Sequence, residues 1–244
     1  MAQITKYSID HQFEENYLKI RAKEKRILTL DEIRQLPNIR KDHPHYQEWQ
    51  LRQATFDRLQ AYFKEKQPLN ILDLACGNGW LINRLWTPKA YFTGVEINEY
   101  ELDQAAQLLQ DKDNVDLILG DIFEIILDTQ MDCIIVNAAI QYFKPLDKIL
   151  NHLLKQLNPN GEIHLIDSPF YPNATESKAA QARTEAYFQE FGTPSMTHFY
   201  HHHHYDLLKA FNHQLLYTPN TLKNKINRKL GRPVSPFPWI IIRA

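Results

Sequence analysis

The chain has 244 residues, 43% of them hydrophobic and 23% charged, which is the balance of a globular protein with one substantial core. Its formal net charge of −1 gives no global attraction to nucleic acid, so a nucleic-acid acceptor is not expected. No apolar run approaches the ~20 residues that span a bilayer, and Met1-Ala2-Gln3-Ile4-Thr5-Lys6 lacks the apolar core of a signal peptide.

Residues 1–65 read as a helical N-terminal extension without a strand pattern. Phe13, Tyr17, Leu18 and Ile20 can share one face, with basic residues around them. Pro37 and His43-Pro44 interrupt the pattern, because proline disfavours helix at the residue before it. A second helix is predicted from Tyr46 to Lys66, carrying Trp49, Leu51, Phe56, Leu59 and Phe63. Such a preface suits a cover for the sheet edge or a lid over a ligand.

From Pro68 onward strands and helices alternate, the pattern of a doubly wound α/β sheet. Strands are predicted at Leu69–Leu74, Tyr91–Ile97, Val115–Leu119, Cys133–Asn137 and Glu162–Asp167. Asn98 followed by Glu101 reads as a capping box that opens a helix through Leu109. Leu146, Ile149, Leu150, Leu153, Leu154 and Leu157 form an amphipathic stripe that stops at the turn signal Asn158-Pro159-Asn160-Gly161. Cys76 and Cys133 lie in apolar runs and are expected to be reduced and packed, in a cytoplasmic protein.

The last third departs from the alternation. Thr175–Phe191 reads as a helical excursion, followed by four consecutive histidines, a helix from Asp206, a strand at Gln214–Thr218, a basic helix and a last strand at Trp239–Arg243. The two late strands suit an antiparallel pair added to a parallel sheet. The expected architecture is therefore a mostly parallel seven-stranded sheet with helices on both faces and an antiparallel C-terminal strand. Residues 66–244 form this domain, with insertions at about 170–212. After Asp206 there is no acidic residue, whereas Lys209, Lys223, Lys225, Arg228, Lys229, Arg232 and Arg243 are basic. This is either a solvated helix face or a lip that favours an anionic substrate or a lipid headgroup surface.

Ile71–Trp80 places a Gly-rich turn between a strand and a helix, as nucleotide-like ligands require. Gly77 and Gly79 supply the first pair of G-x-G-x-x-G, but Ile82 stands at the third glycine, where close helix–strand packing is needed. No Gly-Lys-Ser/Thr follows, so a phosphate loop is excluded.

Asp73-Leu74-Ala75-Cys76-Gly77-Asn78-Gly79 resembles the first motif, D-x-G-x-G-x-G, of class I S-adenosylmethionine-dependent methyltransferases, with Ala75 in place of the first glycine. Gly94-Val95-Glu96-Ile97, Gly120-Asp121-Ile122 and Asp132-Cys133-Ile134-Ile135-Val136-Asn137-Ala138 resemble the second, third and fourth motifs, and Leu157–Asp167 is similar to the next strand of the group. The resemblance covers roughly residues 68 to 170 and implies S-adenosylmethionine as cofactor, with S-adenosylhomocysteine as product. By resemblance Glu96 accepts the ribose hydroxyls, Asp121 and the Ile122 amide meet the adenine edge, and Asn137 and Ala138 lie beside the donor methyl. Asp73, Ala75, Cys76, Gly77, Asn78, Gly79 and Ile97 complete the expected cofactor contacts. Taken singly, Asp73 could cap a turn, Asp121 with Glu124 could be a capping box, and Glu96 a solvated strand end. Their joint occurrence at four consecutive strand C-termini favours the cofactor.

The implied activity is methyl transfer to a small-molecule or lipid or glycan precursor acceptor. A nicotinamide-dependent oxidoreductase and a non-catalytic S-adenosylmethionine-binding protein are the alternatives. Asn137-Ala138-Ala139-Ile140 lacks the (D/N/S)-P-P-(aromatic) block of methylases that act on base amines. Gln141, Tyr142, His201 and His203 are the acceptor-pocket candidates. Consecutive histidines on a strand face opposite sides, so only alternate ones can share a face, and no metal is expected.

Overall fold

The computed structural model describes residues 4–9 and 11–244; Met1–Gln3 of the N-terminal hexapeptide lie outside the described residues. The chain runs β1 (Ile4–Lys6), α1 (His11–Lys23), α2 (Leu30–Gln35), α3 (Tyr46–Lys66), β2 (Asn70–Leu74) and α4 (Trp80–Leu85). Next come β3 (Tyr91–Glu96), α5 (Glu99–Leu108), β4 (Val115–Leu119), β5 (Met131–Asn137), α6 (Leu146–Leu154) and β6 (Leu157–Ile166). The last part is β7 (Phe170–Tyr171), α7 (Ala174–Glu190), β8 (His203–His204), β9 (Asn212–Tyr217), α8 (Leu222–Lys229) and β10 (Trp239–Arg243).

The central sheet has the order β1-β4-β3-β2-β5-β6-β10-β9. All neighbours are parallel except β10, which is antiparallel to both β6 and β9. The mostly parallel sheet and its antiparallel C-terminal strand match the sequence expectation, but among the described residues this sheet has eight strands, not seven, and β7 and β8 pair separately. The extra one is β1, in a segment expected to be helical: Ile4, Thr5 and Lys6 pair with Leu117, Ile118 and Leu119, and the Tyr7 N–H donates to the Leu119 carbonyl at 2.7 Å. Three residues are too short for a period-2 pattern, and pairing with the open edge of β4 overrides their local preference.

Side chains alternate across the sheet and divide the core into two layers. Ile71, Phe92, Cys133 and Ile135 face a layer built with Leu28, Ile33, Leu36, Trp49, Phe56 and Leu59 from the N-terminal segment. Leu72, Leu74, Ile134 and Val136 face the opposite layer with Ile149, Leu150 and Leu153 of α6. Helices α2 and α3 therefore cover a sheet face and β1 covers the edge, whereas α1 packs Phe13 and Ile20 against Phe188 and Met196. The Tyr62 hydroxyl of α3 donates to Glu162 of β6 at 2.5 Å, and Arg243 of β10 binds the same carboxylate at 2.8 Å.

Two local expectations change. The helical stripe ends at Leu154, before Asn158–Gly161, and those residues are not a turn ahead of the strand: β6 begins at Leu157, and its register with β5 shifts between Met131 and Cys133, so the turn-prone residues are absorbed as an irregularity in the ladder. The space for Ile82 is found on another strand. A Cβ at Gly94 of β3 would lie 2.9 Å from the Cys76 sulfur and 3.0 Å from Ile82 Cδ1. The bulk at the usual third-glycine position is thus accommodated by a missing side chain on the neighbouring strand.

Candidate active site

A cavity of about 780 Å³ opens at the C-terminal ends of β2, β3, β4, β5 and β6. It is lined by Asp73, Ala75, Cys76, Gly77, Asn78, Glu96, Ile97, Asp121, Ile122, Asn137, Ala138, Gln141 and Tyr142. These are the residues singled out in the sequence with three exceptions. Gly79, His201 and His203 do not line it.

Asp73 is the fourth residue of β2, between Gly94 of β3 and Ile135 of β5. It is 2% exposed, and neither carboxylate oxygen has a hydrogen-bond partner. Burial, with the Glu96 charge adding to it, pushes its carboxyl up to about 8. The capping role is therefore not realised. An unpartnered buried acid in a cavity is costly for the free protein and is satisfied by a ligand that brings a cationic centre.

Glu96 ends β3 and is tied down instead. Its Oε2 accepts the Gly77 N–H at 2.8 Å, and its Oε1 accepts the Ile97 and Asn98 N–H groups at 2.8 and 3.0 Å. Burial and the Glu101 charge push this carboxyl up to about 7, against the pull of the three N–H groups. Three of roughly four acceptor positions are used, which leaves Oε2 room for one further donor.

The same bond changes the helix start after it. Asn98 Oδ1 accepts the Glu101 N–H at 2.9 Å, as the capping box requires, but the reciprocal partner of the Asn98 N–H is Glu96. The Glu101 carboxylate is released toward the cavity, where it lies 3.6 Å from Arg21. Asp121 likewise opens a turn instead of a helix, its Oδ1 accepting the Phe123 N–H at 3.0 Å.

Ala75, Ala138 and Asp167 follow the last residues of β2, β5 and β6, and their φ angles are +57°, +55° and +50°. Three neighbouring strands thus end in the same left-handed step, each at the cavity wall. This conformation is unfavourable for a residue with a Cβ, and such strain gathers at ligand sites. Ala75→Gly is expected to stabilise the protein by about 0.5–1 kcal/mol, after the extra freedom of the unfolded glycine is deducted. Urea unfolding checks it, and a loss of stability would mean that the methyl packs usefully.

Gly79 serves the fold. Its φ is +73°, and an added Cβ would lie 2.9 Å from Ala105 Cβ and 3.1 Å from Leu109 Cδ1. Gly79→Ala combines backbone strain with overpacking against α5 and is expected to cost roughly 2–4 kcal/mol in thermal unfolding. A neutral substitution would return this glycine to the ligand side.

Beyond Asn137 the wall becomes aromatic. Tyr142 packs edge-on against Phe13, Tyr17 and Tyr200 with ring centroids 5.8, 6.1 and 5.6 Å away. Burial raises the Tyr17 and Tyr142 phenols well above their ordinary value, so neither is a ready base. Gln141 donates to the Ala138 carbonyl at 2.6 Å while its Oε1 remains without a partner.

The histidines support the backbone. His203 is buried, and its Nε2 lies 3.0 Å from the Ile140 carbonyl; the His201 N–H donates to the Gln141 carbonyl at 2.7 Å. Burial, assisted by the Lys144, His203 and His202 charges, lowers His201 to about 4. The alternate-face expectation fails because only His203 and His204 are in a strand, paired with Phe170 and Tyr171. Among the described residues no three His, Cys, Asp or Glu side chains come together as a metal set.

Asp167 was passed over in the sequence, where it looked like the end of a strand. It lines the cavity at 9% exposure and accepts from the Thr55 hydroxyl at 2.8 Å and the Ser235 hydroxyl at 3.4 Å. Burial raises its carboxyl above the usual range. Thr55 and Ser235 lie 112 and 68 residues away, so no local signal marks it.

The profile of the family described as "Methyltransferase domain" matches residues 65–222. A malonyl-[acyl-carrier protein] O-methyltransferase of Priestia megaterium is 37% identical over 99 residues, covering 40% of this chain and 36% of that protein. A trans-aconitate 2-methyltransferase of Klebsiella pneumoniae is 33% identical over 97 residues, covering 38% of this chain and 37% of that protein. The chain thus spans well under half the length of these curated relatives. Magnesium protoporphyrin IX methyltransferase from Synechocystis PCC 6803, solved with bound S-adenosylhomocysteine, has a TM-score of 0.58 at 15% identity, over 94% of this chain and 100% of that one. A plantazolicin methyltransferase, also with bound S-adenosylhomocysteine, has a TM-score of 0.54 at 13% identity, over 96% of this chain and 95% of that one. At these identities the two structures speak for the fold. With the family profile over most of the chain, they place it: the protein belongs to the class I S-adenosylmethionine-dependent methyltransferases.

Proposed function

We propose that the protein transfers a methyl group from S-adenosylmethionine to a small-molecule acceptor with an apolar or aromatic body. The unpartnered Asp73 carboxylate carries this reading, because a cationic ligand with hydroxyl and amine edges satisfies what the cavity leaves open. Asp73 takes the positive charge, Oε2 of Glu96 takes a ribose hydroxyl, and Asp121 with the Ile122 amide faces the adenine edge. Gly77 and Asn78 let the backbone approach, and Asn137 and Ala138 border the reacting centre. The bound cofactor supplies an electrophilic methyl on a sulfonium.

The rest is positioning, which can account for ~7–11 kcal/mol of a transfer barrier. Tyr142, Tyr17, Phe13 and Tyr200 form a stiff wall that holds and desolvates the acceptor. Gln141 offers its free Oε1 as an acceptor. Asp167 is the carboxylate at the acceptor end, held by Thr55 and Ser235, and it takes the proton of an acceptor hydroxyl or amine. His201 and His203 are not assigned to the acceptor. Helix α1 acts as the lid, with Phe13, Tyr17 and Arg21 closing the cavity, while β1, α2 and α3 join residues 66–244 in the transferase domain. The two buried free thiols, Cys76 and Cys133, fit a reducing cytoplasm. No helix among the described residues is long and apolar enough to cross a membrane.

Incubation of the protein with methyl-labelled donor and a cell extract, followed by mass spectrometry, tests the activity. Label is expected in a small-molecule fraction. Label confined to RNA or protein contradicts the acceptor class, and cofactor binding without any labelled product supports a non-catalytic binding protein instead.

A further inference from the structure

Helix α8 is built inside out. None of its residues is buried, and Leu222, Ile226 and Leu230 are 75%, 49% and 63% exposed. Residues four apart share a helix face, so these three make one continuous apolar stripe. Asn224 and Arg228 stand two residues from each, on the opposite face, and they anchor the helix. Asn224 Nδ2 donates to the Thr218 carbonyl at 2.8 Å, and Arg228 Nη2 donates to the Pro219 carbonyl at 2.9 Å. The polar side is tied to the Thr218–Pro219 turn just before the helix and the apolar side is open, the reverse of a surface helix that packs on a core.

Charge follows the same geometry. At about 100° per residue, Lys223 flanks the stripe on one side and Lys225 and Lys229 flank it on the other. No acidic residue occurs anywhere after Asp206 to balance them. An outward apolar strip bordered by lysines is the arrangement of an interfacial helix, whose long side chains reach back to headgroup phosphates. The area argues against a protein partner. An eight-residue helix is ~12 Å long, and one stripe on it falls far short of the ~800 Å² per side of a stable protein interface. A lipid surface needs no such area from a single element, since anionic headgroups add attraction for each basic residue.

Placement gives the helix a use. β9 is antiparallel to β10, which is antiparallel to β6, so β9 runs parallel to β6 and ends on the cavity side of the sheet. The connection that carries α8 leaves from that side, and its later residues Pro236 and Phe237 line the cavity.

We infer that α8 docks the protein on the surface of an anionic lipid bilayer, with Leu222, Ile226 and Leu230 inserted at the headgroup level and Lys223, Lys225 and Lys229 on the phosphates. Docking holds the cavity side of the sheet near the membrane. Flotation of the full chain with vesicles tests it, using phosphatidylcholine alone and phosphatidylcholine mixed with phosphatidylglycerol. Binding to the mixed vesicles is expected to exceed binding to the neutral ones at least tenfold. The combined variant L222S/I226S/L230S is expected to lose at least tenfold while keeping the wild-type unfolding temperature and S-adenosylhomocysteine affinity. K223Q/K225Q/K229Q is expected to lose a similar amount. Absence of binding to the anionic vesicles overturns the inference. So does full binding by the serine variant, which would indicate a charge patch of the kind that suits an acidic protein. Conversion of a dimer to a monomer by the serine variant in sedimentation would assign the stripe to a second copy and overturn it as well.

Discussion

Asp73→Asn is expected to weaken S-adenosylmethionine binding at least tenfold, about 1.4 kcal/mol, while making the free protein more stable near neutral pH. The two effects have one cause. The carboxyl has no partner in the free protein and is pushed up to about 8, above its value in the unfolded chain. Between roughly pH 4 and 8 the native state therefore binds a proton that the unfolded chain has released, so stability falls as pH rises through that window. Asparagine removes this slope. It leaves an unpaired amide that costs roughly 1–3 kcal/mol, which is less than the penalty removed, and a net gain of about 1 kcal/mol or more is expected at pH 7. Binding has the opposite sign: a cationic ligand needs the ionised carboxylate, so wild-type affinity should rise with pH toward 8, and the variant should lose most of that rise. Urea unfolding and calorimetry across pH 5–9 check both halves. Unchanged affinity, or a variant less stable at every pH, would mean that Asp73 is held by contacts within the protein.

Glu96→Ala is expected to lower both cofactor affinity and stability. Affinity should drop at least tenfold, because the loss of Oε2 coincides with release of the Gly77 N–H that shapes the turn. Stability should fall by roughly 2 kcal/mol, since the Gly77, Ile97 and Asn98 N–H groups lose their acceptor and Asn98 is fully buried. Removing a buried acid held near 7 offsets part of this cost. Two buried acids on neighbouring strands thus give opposite stability effects, and the difference is whether backbone N–H groups already satisfy them. Differential scanning calorimetry decides, and a stabilised Glu96→Ala would contradict the account.

The parallel strands β2 to β5 were legible because each is a short apolar run between turn signals, and β4, like the antiparallel β10, falls on its predicted bounds. β1 was not legible, since pairing with the edge of β4 creates it. Asp73, Glu96, Asp121 and Asn137 could be singled out because the strand ends that carry them resemble the methyltransferase motifs, and the fold brings all four to one cavity. Gly79 is ambiguous in sequence because a glycine required by Ala105 and Leu109 across a helix interface looks like one required by a ligand. Asp167 was missed because its meaning depends on Thr55 and Ser235. The histidines' chemistry is visible in the sequence, whereas the contact of His203 with the Ile140 carbonyl is not.

Isothermal calorimetry of S-adenosylhomocysteine into the full chain at pH 8, with nicotinamide dinucleotide as control, bears most directly on the central claim. The geometry predicts one site per chain in the micromolar range or tighter and no heat from the dinucleotide. No binding of S-adenosylhomocysteine in that range, or equal binding of the dinucleotide, would contradict it.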